Sequence, residues 1–146
     1  MKLLTSTIAA VVLAAALCAP ALAGGSVAGG AVWQSGNGAT SSGAAVLLST
    51  TTAVPVLPAT VGVSAFGVFA QGGGYALTAD GTFSFVNNAI GIGYGIGKFG
   101  AGHAGGVATG FLLHQIAPRT SVELRGYFPN GDKGSTAYFL GLRFSL

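Results

Sequence analysis

Charge is scarce in this sequence. Six lysines and arginines and three acidic residues make up 6% of its 146 positions. A soluble domain is typically about a quarter charged, so this chain cannot coat a water-facing surface in the ordinary way. Cysteine is scarcer still: Cys18 stands alone, inside an N-terminal stretch that reads as a secretory signal. Lys2 supplies the positive end, residues 8–17 the apolar run, and Ala21 and Ala23 the small residues of a cleavage site. Removal of 1–23 leaves one domain, 24–146, with no cysteine, which excludes disulfides and thiol chemistry there. It also leaves five basic residues against three acidic ones. Past residue 23 no apolar run reaches the roughly 18 residues of a transmembrane helix. The few basic residues are scattered, which excludes basic-patch nucleic-acid binding.

What the chain does contain is glycine, 26 residues of it, among many valines, threonines and aromatics. That mixture disfavours amphipathic helices and favours strands. Eight strands are expected, at 26–34, 44–54, 59–70, 74–86, 89–98, 106–116, 119–128 and 136–146. Short connections at 55–58, 87–88 and 117–118 alternate with longer or more polar ones at 35–43, 71–73, 99–105 and 129–135. Such alternation is the wiring of an up-and-down membrane barrel with both termini on one side.

Facing is clearest where the period of two is unbroken. Tyr75, Leu77, Ala79, Gly81, Phe83 and Phe85 alternate with Ala76, Thr78, Asp80, Thr82 and Ser84. Alternation passes through Asp80-Gly81 without a phase change, so one strand is expected there rather than a hairpin. Val122, Leu124, Gly126 and Phe128 oppose Ser121, Glu123, Arg125 and Tyr127. In the last strand Tyr138, Leu140, Leu142, Phe144 and Leu146 share an apolar face with Arg143 behind it. A strand of about ten residues with such a face suits a bilayer crossing. Residues 44–54 show no parity. In 91–97, glycine alternates with Ile92, Tyr94 and Ile96 and no helix follows, so these glycines read as room inside a narrow barrel, not as a nucleotide loop.

The charges follow the same parity. Asp80, Glu123, Arg125 and Arg143 fall on inward faces, two acids and two bases with no net charge. An arginine or lysine facing lipid at the midplane would cost about 2–4 kcal/mol. The expected arrangement is a set of salt bridges filling the lumen, with Glu123 and Arg143 opposite or diagonal on neighbouring strands. His114 is read as inward, opposite Phe111 and Leu113, and Ser121 as a second polar lumen residue. Together they make a hydrolytic site conceivable. No cofactor or metal site is expected: His103 lies in a loop and cysteine is missing.

The two strands 120–128 and 138–146, with Pro118 before the first, resemble the small eight-stranded outer-membrane barrels of the OmpA and OmpX type, mainly over 105–146. The resemblance implies an outer-membrane location in a Gram-negative-type envelope, contact with outer-membrane lipid, and passage through periplasmic chaperones. It also implies that Tyr138, Leu140, Leu142, Phe144 and Leu146 form the signal read by the barrel-insertion machinery. The lipid A deacylase barrels place His and Ser two apart on one strand; here Ile116 stands where the hydroxyl belongs, so that activity is not carried over. The expected fold is all-β: an eight-stranded antiparallel transmembrane barrel after a cleaved signal peptide. The expected role is structural or surface-interacting, without catalysis. The alternatives are a secreted Gly/Ala-rich cross-β assembly, a lipid-processing barrel enzyme, or a small pore.

Overall fold

The computed structural model describes residues 24–36, 38–69, 73–100, 102–130 and 134–146. Ala21, Ala23, Asp132 and Lys133 lie outside the described residues. Eight strands follow in chain order: β1 (Gly25–Gly36), β2 (Ala39–Ala53), β3 (Ala59–Phe69), β4 (Gly74–Phe85), β5 (Asn88–Phe99), β6 (Gly105–Ala117), β7 (Thr120–Pro129) and β8 (Thr136–Ser145). Each pairs antiparallel with its neighbours, and β1 closes on β8 from Ser26↔Ser145 to Ser35↔Thr136. The result is a closed up-and-down barrel. Closure satisfies every strand and leaves no edge for a second copy to extend.

The period of two sets the two surfaces. On β4, Ala76, Thr78, Asp80 and Thr82 are buried in the lumen, whereas Leu77, Phe83 and Phe85 face out. Asp80 pairs with Gly62 and Gly93 without interruption, so Asp80-Gly81 makes no turn. Ile90, Ile92, Ile96, Leu112, Leu124, Leu140 and Leu142 also project outward. An apolar surface this continuous, around a lumen that holds ions, is a lipid-facing belt.

The termini and three turns share one end of the barrel, here the terminus end; the other four connections form the loop end. Two expectations need correction. The first hairpin is not a loop over 35–43: β1 and β2 stay paired out to Gly36↔Ala39. Gly38, next after the break, takes the left-handed φ of 75° that a tight hairpin uses. The serines and threonines that read as loop are the ends of paired strands. Consequently the alternation of short and long connections is weaker than expected, since the turn between β2 and β3 is longer than this hairpin. The other finding concerns β2. Ala45, Leu47 and Ser49 are buried inside, and Ala44, Val46 and Leu48 face out. Both faces are apolar at this level, and so the sequence shows no alternation.

Among the described residues, three in turns other than glycine hold a positive φ: Val56 (70°), Val86 (52°) and Arg119 (64°). Left-handed backbone costs of order 1–3 kcal/mol for such residues, and β-branched valine is among the least suited to it.

Candidate functional site

The lumen has two layers. Toward the loop end, Phe66, Phe99, Tyr127 and Phe139 pack together. Phe66 stacks on Tyr127 at 4.5 Å between centroids and meets the edge of Phe139 at 5.5 Å. Phe99 lies 5.4 Å from Tyr127. Beneath this layer the ionised residues meet.

Arg125 on β7 bonds two acids at once. Its Nη1 donates to Asp80 Oδ2 of β4 at 2.9 Å, and its Nε to Glu123 Oε1 at 2.8 Å. Glu123 Oε2 accepts from Arg143 Nε of β8 at 2.7 Å. Arg143 Nη2 continues to Ser49 Oγ of β2 at 3.2 Å. Ser49 Oγ lies 3.3 Å from Ser64 Oγ of β3, and the Ser64 hydroxyl donates to Asp80. Six side chains thus close a ring through the lumen, drawn from five strands. Thr78 adds a hydrogen bond to Asp80 Oδ1 at 2.7 Å.

Two packing features make room for the ring. The inward face of β5 is glycine at 91, 93, 95 and 97. A Cβ on Gly93 would collide with Asp80 Oδ1, and one on Gly91 with the Phe111 ring. Phe111 then lies flat under Arg125, with the guanidinium carbon 3.9 Å from the ring centroid. That geometry gives the buried cation a π face as well as two carboxylates. The side chains of Arg125 and Glu123 are fully sealed from solvent, and Arg143 keeps 11% exposure. Two buried polar atoms, Arg125 Nη2 and Tyr127 Oη, have no hydrogen-bond partner among the described residues. Arg125 Nη2 belongs to the guanidinium over Phe111. The Tyr127 ring also faces this guanidinium, with Arg125 Cζ 5.9 Å from its centroid.

Asp80, Glu123, Arg125 and Arg143 are therefore brought together. Glu123 and Arg143 sit diagonally, with Ser121 directly opposite Arg143 in the register. Ser121 shares the inward face of β7 but makes no side-chain bond to the ring. His114 is a correction: it faces out, not in. Val107, Thr109 and Phe111 carry the inward parity of β6, so His114 falls on the lipid side at the terminus end. Its Nδ1 lies 2.8 Å from Asn88 Oδ1. The cause is Phe111, a bulky apolar residue that serves the lumen instead of the belt. With His114 and Ser121 on opposite sides of the wall, they form no base and nucleophile pair. Among the described residues no group of three or more His, Cys, Asp or Glu side chains is arranged to hold a metal ion.

Ser49, Ser64 and Phe111 belong to the site and were not singled out from the sequence. Ser64 was within reach, since Thr60, Gly62 and Ser64 alternate with Val61, Val63 and Ala65. In β8 the outward side chains are Tyr138, Leu140, Leu142 and Phe144, each a little under half exposed, and the Leu146 N–H donates to Gly25 O at 2.9 Å. Tyr138 pairs with Trp33 and meets the edge of Phe128 at 6.1 Å.

No protein-family model matches the sequence, and comparison with curated proteins gives no match. Solved structures do resemble the fold. The Neisserial surface protein A (NspA) superposes with a TM-score of 0.62 at 10% identity, over 84% of this chain and 96% of that one. The attachment invasion locus protein Ail of Yersinia pestis, solved with the heparin analogue sucrose octasulfate, gives 0.50 at 17% identity, over 83% and 99%. The chain thus has the fold of the small eight-stranded outer-membrane barrels, and its lipid-facing belt suits that bilayer.

Proposed function

We propose that the protein is a structural or surface-interacting component of the outer membrane whose lumen is sealed by its own side chains, and that it performs no catalysis. The observation that carries this reading is the reach of Arg125 across the lumen to Asp80, within the closed ring and under the aromatic layer. An eight-stranded barrel is just wide enough for side chains to fill it, and here two full layers occupy it. In this reading the termini face the periplasm and the four loops face outward. The segment 1–23 is removed after Ala23. Periplasmic chaperones and the insertion machinery receive the chain, reading Tyr138, Leu140, Leu142, Phe144 and Leu146. Outer-membrane lipid is the partner of the belt. The described loop residues are mostly small and carry little charge, so a surface contact would be modest in area.

Planar-bilayer recording of the purified barrel tests the sealed lumen. No reproducible conductance steps are expected, and steps of fixed size would overturn it. Gel mobility without heating gives the accompanying check of fold: a compact band that shifts on boiling.

A further inference from the structure

The lipid-facing belt does not end at the strand ends all the way round. On β3, β4 and β5 it runs on into the turns at the terminus end. Val56 and Val86, one in each of two neighbouring turns, are 101% and 97% exposed, and Leu57 is more than half exposed. The two turns belong to adjacent hairpins: Pro58 O accepts from the Ser84 N–H at 2.8 Å. Above them an apolar groove opens at Gly81, lined by Leu57, Val61, Phe83, Ile90 and Ile92, and it is continuous with the belt. The third turn differs. Its tip carries the exposed Arg119, with Gln115 and His114 close by on β6, and Ile116 is the apolar side chain exposed beside it.

Both valines also hold a left-handed φ, a conformation that glycine or asparagine takes at little cost. A turn standing in water has no use for a strained, bare, β-branched side chain at its tip. A turn lying among lipid glycerols and acyl chains does, because the side chain leaves water there.

We propose that the terminus end sits obliquely in the bilayer, with the turns at 54–58 and 86–87 embedded in the phospholipid interface and the turn at 118–119 in water. The partner is the lipid surface itself. Continuity of the groove with the belt argues for it, as does the place of the Arg119 side chain on the third turn, across the barrel from 54–58. The inference holds whichever leaflet the termini face, and does not depend on a sealed lumen.

Single-tryptophan reporters test it in the full protein. In a Trp33→Phe background, Val56→Trp, Val86→Trp and Arg119→Trp are reconstituted separately into phosphatidylcholine vesicles with or without shallow bromine on the acyl chains. Heat-modifiable mobility verifies that each variant has folded. Loss of emission in brominated vesicles is expected at 56 and 86, with acrylamide quenching confined to 119. Equal behaviour of the three reporters would overturn the proposal. So would shielding at 56 and 86 that vanishes on dilution of protein in lipid, which would indicate a second copy of the chain instead. Where a tryptophan prevents folding, Val56→Cys, Val86→Cys and Arg119→Cys give the same comparison through reaction with a charged maleimide. Rapid reaction at 119 alone supports the oblique seat, and rapid reaction at all three overturns it.

Discussion

Arg125 and Asp80 are 45 residues apart in the chain and lie on β7 and β4, yet their side chains meet at 2.9 Å inside the barrel. Two intervening strands separate them around the wall, so the contact is a brace across the lumen and not part of any sheet pairing. It ties one half of the circumference to the other. The remaining members of the ring extend the brace through Glu123 and Arg143 to Ser49 and Ser64.

Loss of one ionic partner strands the other. Glu123→Ala leaves Arg125 and Arg143 short of a carboxylate, and Arg143→Ala leaves Glu123 with one partner. Each is expected to destabilise the barrel by about 3–5 kcal/mol, as removal of one member of a buried pair does. The double variant should lose clearly less than the sum. Unfolding in detergent by denaturant reads this directly, and additive losses would show that the two residues do not act together.

The glycines of β5 and those of the outer wall should respond in opposite ways. Gly93→Ala drives a methyl into Asp80, so a loss of about 1–3 kcal/mol is expected from overpacking. Gly110 faces outward, and a methyl added there would meet nothing within 4 Å. Gly110→Ala should therefore be neutral or stabilise by up to roughly 1 kcal/mol, through the lower chain entropy of alanine. The difference in midpoint between the two variants is the readout.

Tyr127→Phe should be almost silent. The hydroxyl is buried without a partner among the described residues, so its removal sacrifices no hydrogen bond and leaves the ring contacts with Phe66 and Phe99 in place. A change below about 1 kcal/mol is expected, against about 3–5 kcal/mol for Phe66→Ala in the same layer. Thermal melting of both variants in the same detergent makes the comparison.

His114→Ala is expected to shift stability by less than about 0.5 kcal/mol, because the side chain is exposed at the margin of the belt and among the described residues bonds only Asn88. A histidine embedded in the lumen network would cost several times more. The variant thereby checks which way β6 faces.

How legible the architecture was depended on contrast between the two solvents of each strand. Where lipid met polar lumen, as on β4, β7 and β8, parity identified both faces, and the alternation of Asp80, Glu123, Arg125 and Arg143 followed from it. Where the lumen is itself apolar, the contrast disappears. Leu47 inside and Leu48 outside β2 look alike, and so do Phe111 inside and Leu112 outside β6. The face of His114 was lost for that reason. Ser49 was hidden in the same way, since its strand offered no phase to follow. At the first hairpin polarity misled differently: Ser41, Ser42 and Gly43 read as loop yet remain fully paired with β1. Polar composition does not mark the end of a strand there.

The brace between β4 and β7 bears on how the molecule is made. A chain threaded into hydrocarbon hairpin by hairpin would hold the Asp80 carboxylate in place while its guanidinium was still outside, dozens of residues behind. Neutralisation arrives only when the last quarter of the polypeptide swings into position. A half-built cylinder would therefore hold Asp80 either protonated or in water until Arg125 arrives, and the ion pair rewards the step that closes the wall.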